Sequence, residues 1–129
     1  KGGGGGDDLS GAAGADTAYG SGGNDAVKGG AGPDKLKGGG GADVISGQAD
    51  GDNLRGGGGD DTIRSGGDRD NVTGGGGEDK ISTGAGRDII KTRGGGKDRV
   101  NCGAGKDGVL ADPGDEISKN CEKVKFRKG

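Results

Sequence analysis

Residues 29–46 read GGAGPDKLKGGGGADVIS. Glycine dominates and a proline interrupts, which in most chains marks a spacer. Yet Asp34 and Asp43 stand nine residues apart, and so do Leu36 and Ile45. Extended both ways, the same step places aspartate at Asp7, Asp16, Asp25, Asp34, Asp43, Asp52, Asp61, Asp70, Asp79 and Asp88. Two residues after each comes Leu9, Ala18, Val27, Leu36, Ile45, Leu54, Ile63, Val72, Ile81 or Ile90. A glycine-rich tetrad and one variable residue precede each aspartate. The unit is G-G-x-G-x-D-x-U-x with U aliphatic, and GGGGGDDLS (2–10) and GGAGPDKLK (29–37) follow it throughout. A disordered linker has no reason to keep ten carboxylates in register with ten aliphatics, so periodicity outweighs composition here.

Composition alone points the other way. The 129 residues include 39 glycines and only 24% hydrophobic residues, with Tyr19 and Phe126 the sole aromatics, no histidine, and a net charge of −2. Such a chain falls among low-complexity or disordered sequences. Ordering a residue costs roughly 1–2 kcal/mol, and glycine loses the most backbone freedom. A fully buried Val, Leu or Ile returns only about 1.5–3 kcal/mol, so one aliphatic per unit cannot cover the deficit. Either the chain stays unfolded, or a ligand supplies the missing free energy.

The repeat resembles the haemolysin-type, or RTX, calcium-binding repeat, over residues 2 to about 110. The physics of the unit agrees. Glycines permit positive φ and close backbone approach, so a short turn can aim several carbonyl oxygens at one point. The aspartate adds a hard anionic oxygen, and six or more oxygens suit Ca²⁺. The closing x-U-x is a short strand with U inward. The expected fold is all-β: a parallel β-roll, a two-sheet β-helix or solenoid, of about six 18-residue turns with calcium ions in the loops and a C-terminal cap. Leu9, Val27, Ile45, Ile63 and Ile81 would stack in one sheet, and Ala18, Leu36, Leu54, Val72 and Ile90 in the other.

The resemblance also implies where the metal sits, between the loops of consecutive turns. One loop gives the carbonyls of its second and fourth positions and its aspartate. The next turn gives the carbonyls of its first and third positions and its own aspartate. Carried over, Asp34 and Asp52 share an ion with the carbonyls of Gly30, Gly32, Gly47 and Ala49. Asp43 and Asp61 share another with those of Gly39, Gly41, Gly56 and Gly58. With Asp98 and Asp107, twelve aspartates fit the pattern and allow up to about ten ions.

The pattern also has departures. Asp50 and Asp68 stand in the fourth, glycine position, either as turn substitutes, since aspartate tolerates the left-handed conformation better than most residues, or as added carboxylates that tighten the ladder on that side. Ser65, Thr83 and Thr92 replace the first glycine, which a carbonyl ligand tolerates because every residue has one. The step lengthens to ten between Asp88 and Asp98 and shortens to eight between Asp107 and Asp115, so the register loosens there. Competing motifs fail. Gly96-Lys97 and Gly105-Lys106 are followed by Asp, which a P-loop does not allow. In DGDNLRG (50–56), Arg55 stands where an EF-hand loop needs glycine. Without histidine there is no zinc-protease helix and no Ser-His pair. No catalytic constellation emerges, and the chain reads as a non-enzyme.

The expected division is 1–110, the calcium-binding β-roll, and 111–129, a C-terminal cap with a basic tail. That tail is Lys119, Lys123, Lys125, Arg127 and Lys128. Cys102 and Cys121 are the only cysteines; an even count suits a disulfide in an oxidising compartment, two free thiols being the alternative. Such a bridge would staple the cap and contribute roughly 3 kcal/mol in the chain-entropy model. The chain opens directly on Lys1 and reads as a mature or excised segment. Its first turn lacks an equivalent cap, so that end is covered by an upstream domain, by solvent or by another molecule, the last of these meaning end-to-end or edge self-association. Lys28, Lys35, Lys37, Arg55, Arg64, Lys80 and Lys91 take outward strand positions. Calcium on the aspartates would leave a basic particle, a charge that suits acidic polysaccharide or cell-envelope partners and equally serves simple solubility. No run is long and apolar enough for membrane insertion, and no nucleic-acid partner is expected. The function expected is a secreted, extracellular or cell-surface module that folds on binding several Ca²⁺ ions. The residues leave open a self-assembling filament or adhesin element, and the C-terminal repeat region of a secreted toxin or hydrolase.

Overall fold

The computed structural model describes residues 1–92 and 94–126. Arg127 and Lys128 of the basic tail therefore lie outside the described residues. Along the chain, x-U-x triplets form strands that alternate between two sheets. The first sheet holds β1 (Asp8–Ser10), β3 (Ala26–Ala31), β5 (Val44–Ala49), β7 (Thr62–Gly66), β9 (Lys80–Ser82), β11 (Arg99–Asn101) and β13 (Glu116–Ile117). The second holds β2 (Thr17–Gly22), β4 (Lys35–Gly40), β6 (Asn53–Gly58), β8 (Asn71–Gly76), β10 (Ile89–Lys91), β12 (Gly108–Ala111) and β14 (Lys123–Phe126). Every pairing is parallel, and among the described residues there is no helix. The architecture is a parallel β-roll of about seven turns.

Register follows the repeat. Leu9 lies opposite Val27, Val27 opposite Ile45, and Ile45 opposite Ile63. On the other sheet Ala18, Leu36, Leu54 and Val72 form the matching column. The core is these two columns, continued by Val100 and Val109, with Ile117 and Val124 packed against it. It is one side chain thick on each side. Phe126, the one large apolar side chain near the end, is 54% exposed and takes no part.

The structure differs from the sequence expectation in strand length. Three-residue strands appear at β1, β9, β10 and β11, but the central ones run for five residues (β7) or six and take in the first two or three positions of the following unit. Glycines on neighbouring turns pair with one another, as Gly39 with Gly57 and Gly40 with Gly58. Identical backbone conformations on successive turns let the ladder continue through residues that disfavour strands in isolation. Only three-residue turns such as 32–34 and 41–43 then separate the sheets.

The two irregular steps are absorbed in turns. Ile81 pairs with Val100 and Ile90 with Val109, nineteen residues on, because the extra residue falls between β10 and β11. The segment expected to be a cap pairs as well, Val100 with Ile117 and Val109 with Val124. Cys102 and Cys121 form a disulfide across this last turn, with Cα atoms 5.2 Å apart.

Candidate metal centre

Alternation along β4 puts Lys35 and Lys37 outside and Leu36 and Gly38 inside. The inward first-position glycine leaves room for the aspartate five residues later, which turns back into the roll. Ten of the twelve expected aspartates, Asp25 to Asp107, are at most 3% exposed. Each is joined to the turn before it by one hydrogen bond. The Asp34 N–H donates to Asp52 Oδ1 at 2.9 Å, and the Asp43 N–H to Asp61 Oδ1 at 2.9 Å. The ladder runs unbroken through the long step, with Asp79 N–H to Asp98 Oδ1 at 2.7 Å and Asp88 N–H to Asp107 Oδ1 at 2.8 Å. Two columns result, at the two edges where the chain crosses between sheets.

The second carboxylate oxygen has no such partner. In all ten of these aspartates Oδ2 is buried and makes no hydrogen bond. A buried polar oxygen without a donor costs roughly 1–3 kcal/mol, more when charged, and ten of them demand an explanation. Neighbouring strands lie about 4.8 Å apart, so each column stacks like charges closely. Burial, with the stacked carboxylates adding to it, pushes Asp61 up to about 7 and Asp52, Asp88 and Asp98 to about 6, against the lowering effect of the backbone N–H bonds. Asp43, Asp70 and Asp79 are raised too, chiefly by burial.

More oxygens surround these orphans. A Cβ added to Gly47 would lie 2.3 Å from Asp52 Oδ2 and 2.6 Å from the Ser65 carbonyl oxygen; one on Gly56 would lie 2.2 Å from Asp61 Oδ2 and 2.5 Å from that of Gly74. First-position carbonyls therefore face the preceding turn. Second- and fourth-position carbonyls face the following one: the Gly39 oxygen lies 2.0 Å from a Cβ site on Gly57, and the Gly41 oxygen 2.2 Å from one on Gly59. The positive φ of Gly30, Gly32, Gly39 and Gly41 turns these carbonyls along the axis. Gly30 lies opposite Gln48, and Ala49 opposite Ala31, so the expected set around Asp34 and Asp52 occupies two adjacent turns. In the other set Gly58 carries an extra bond, its carbonyl accepting the Gly41 N–H at 2.9 Å; a second lone pair remains. Among the described residues no three acidic or cysteine side chains converge. A cation here would take most of its oxygens from backbone, which is the donor set of a hard divalent ion.

The first and last turns are built differently. Asp7 and Asp16 are only half-buried, and their Oδ2 atoms accept the N–H groups of Gly3 at 2.7 Å and Ala12 at 2.9 Å. Asp115 extends one column, its Oδ1 accepting the Asp98 N–H at 3.1 Å, but its Oδ2 accepts the Thr92 hydroxyl and the Asp112 N–H. Sequence reasoning also passed over the side chains that brace the turns. Asn24 Oδ1 accepts the Ala42 N–H, Asp60 Oδ1 the Glu78 N–H, and Asp50 Oδ2 the Gly32 N–H, each at 2.8–2.9 Å. The signal available was Asn24 or Asp60 directly ahead of a repeat aspartate, and for Asp50 an acidic residue in the fourth position. Asp50 and Asp68 do take the left-handed conformation, with φ of 75° and 76°. Ser65 and Thr83 are fully buried and donate their hydroxyls to the Thr83 and Cys102 carbonyls.

Comparison with known proteins gives one match. The model of the RTX calcium-binding nonapeptide repeat (4 copies) fits residues 1–36, 19–54, 29–63, 37–72 and 55–90, well over half the chain. No curated protein and no solved structure matches.

Proposed function

Because the chain belongs to the RTX calcium-binding repeat family, we propose that it is a non-catalytic extracellular module whose roll forms only as its turns close around calcium. The observation that carries this is the set of ten buried, donorless Oδ2 atoms. Bound calcium supplies positive charge among oxygens that otherwise only repel. The ten aspartates from Asp25 to Asp107 would contribute carboxylates from both edges of the roll, and Asp7 and Asp16 would add theirs only where a cation displaces the Gly3 and Ala12 N–H groups. Carbonyls of the second and fourth positions reach forward and those of the first reach back, which supports Gly30, Gly32 and Gly47 in one set and Gly39, Gly41 and Gly56 in the other; Ala49 and Gly58 complete the sets by the repeat pattern. Up to about ten ions fit between turns if each needs two loops. The core is too thin to offset the ordering of 39 glycines, so metal-binding free energy becomes folding free energy.

Location follows from the same balance. A chain unfolded at low calcium and folded at high calcium is suited to crossing an envelope and ordering outside. The Cys102–Cys121 bridge belongs to an oxidising compartment. It joins the last turn to the roll, and the 111–129 segment acts as the cap of that end. The test is far-UV circular dichroism of the purified chain titrated with calcium. A coil spectrum in chelator should convert cooperatively to β structure; a full β spectrum in excess chelator would refute the reading.

A further inference from the structure

The roll's two outward faces differ in charge. None of the seven strands of the second sheet contains an aspartate or glutamate. Its outward positions carry six cations: Lys35, Lys37, Arg55, Lys91, Lys123 and Lys125, all exposed. The first sheet bears Asp8 and Glu116, and Glu116 pairs with Lys97 at 2.8 Å and Arg99 at 3.1 Å. Those are the only ion pairs among the described residues, so the cations of the second sheet face solvent without carboxylate partners.

The charge is concentrated along a groove. Tyr19, Lys37 and Arg55 are successive cross-strand partners on β2, β4 and β6, with Lys35 beside them. They bank an open groove of about 880 Å³ that also takes in the bare backbone of Gly39, Gly40, Gly57 and Gly58, with Ser21, Asn53 and Lys1 at its margins. A Cβ on Gly58 would meet nothing within 4 Å, and one on Gly40 nothing nearer than 3.9 Å. The result is a floor of glycine backbone across β4 and β6, with Ser21 continuing it on β2, beside Lys37 and Arg55 on strands about 4.8 Å apart and an aromatic ring at one end.

We propose that this groove binds a linear anionic polysaccharide, laid along the roll axis across β2, β4 and β6. Lys37 and Arg55 on neighbouring strands, with Lys35 beside them, complement sulfates or carboxylates carried along one chain. The glycine floor admits flat sugar rings close to the backbone, and Tyr19, 43% exposed, offers a ring face. A flat sheet presents no element that enters a groove of duplex nucleic acid. The proposal rests on the calcium reading in that the aspartate columns flank this sheet and the carbonyls of Gly39 and Gly58, in the groove floor, belong to a proposed calcium set. Neutralising them strengthens the attraction, and by linkage the polysaccharide should lower the calcium needed to fold the chain.

The experiment is calorimetric titration of the calcium-saturated chain with dextran sulfate, with neutral dextran as control. Three proteins are compared: wild type, Lys35→Gln/Lys37→Gln/Arg55→Gln, and Arg64→Gln/Lys80→Gln on the opposite sheet. Wild type should bind dextran sulfate and not dextran, more weakly as salt rises. The triple variant should lose about tenfold or more in affinity, the opposite-sheet variant less than about twofold. Circular dichroism and the calcium midpoint check that each variant is folded; should the triple variant misfold, the single Lys37→Gln and Arg55→Gln changes replace it, each with a loss of about threefold. Unchanged binding in a folded groove variant would overturn the proposal. So would equal losses from the two sheets, or tighter binding to duplex DNA or phosphatidylserine vesicles. The comparison is read at saturating calcium, so a chain that also folds in chelator would remove the calcium reading and leave this one standing.

Discussion

The interior turns and the terminal turns use the same aspartate for opposite ends. From Asp25 to Asp107 the carboxylate is sealed inside, tied through Oδ1 to the preceding turn and left with a donorless Oδ2. At Asp7 and Asp16 the second oxygen is taken by an N–H of the same loop, and at Asp115 by Thr92 and Asp112. At Asp7, Asp16 and Asp115 the polypeptide itself satisfies the second oxygen, whereas in the ten interior aspartates nothing does; Asp112 Oδ1, in the last turn, is buried without a partner as well. What separates them is whether another turn stacks beyond: a half-buried loop can bend its carboxylate onto its own backbone, and a loop held between two neighbours cannot.

The sharpest way to break this contrast is to remove one carboxylate from each region. Asp61→Asn should raise the calcium midpoint of folding about tenfold, equivalent to about 1.4 kcal/mol, whereas Asp7→Asn should change it less than about twofold. Equal effects in the dichroism titration would erase the distinction. Opening the covalent end comes next. Cys102→Ala/Cys121→Ala should lower stability by about 3 kcal/mol at saturating calcium, read as a fall in thermal midpoint with the dichroism of the interior turns retained.

Glycine offers a finer comparison within one strand. Gly57 has φ of 127° and its Cβ site lies 2.0 Å from the Gly39 carbonyl, while the Cβ site on Gly58 meets nothing. Gly57→Ala should cost about 1–3 kcal/mol, and Gly58→Ala should stay within about 0.5 kcal/mol, measured by denaturant unfolding in calcium. The smallest effect concerns protons. Asp61 at about 7 and Asp52, Asp88 and Asp98 at about 6 lie above the unfolded value of 3.8, so the metal-free roll binds protons more tightly than the unfolded chain. Its stability should therefore rise as pH falls through 7 to 6, with the gain complete below 3.8. In chelator, more β signal at pH 4.5 than at pH 7.5 is expected, together with a higher calcium midpoint at about pH 5.5 than at neutrality.

Much of this was legible beforehand, and the exceptions share a cause. Leu36 and Ile45 announced two opposed columns, Asp34 and Asp43 announced two edges, and an even cysteine count favoured one bridge over two free thiols. A nine-residue period needs no tertiary information to be counted, and parallel stacking of identical units preserves it in space. Position in sequence says nothing, however, about which oxygen of an aspartate finds a donor. Asp16 and Asp34 occupy the same place in the repeat, yet only Asp34 has a buried, unpartnered Oδ2.

By itself, then, the sequence determined the turn, the two columns, the family and the carboxylate supply, because all of these follow from residue type at a fixed spacing. Only the tertiary structure decided that glycines extend the strands, that the long step at Asp98 leaves the ladder intact, and that Asp115 joins it. It alone showed one sheet free of acidic side chains beside a bare glycine floor. Those outcomes depend on contacts between residues 17 to 19 apart, where hydrogen-bond geometry and the presence of a neighbouring turn, not residue identity, set the result.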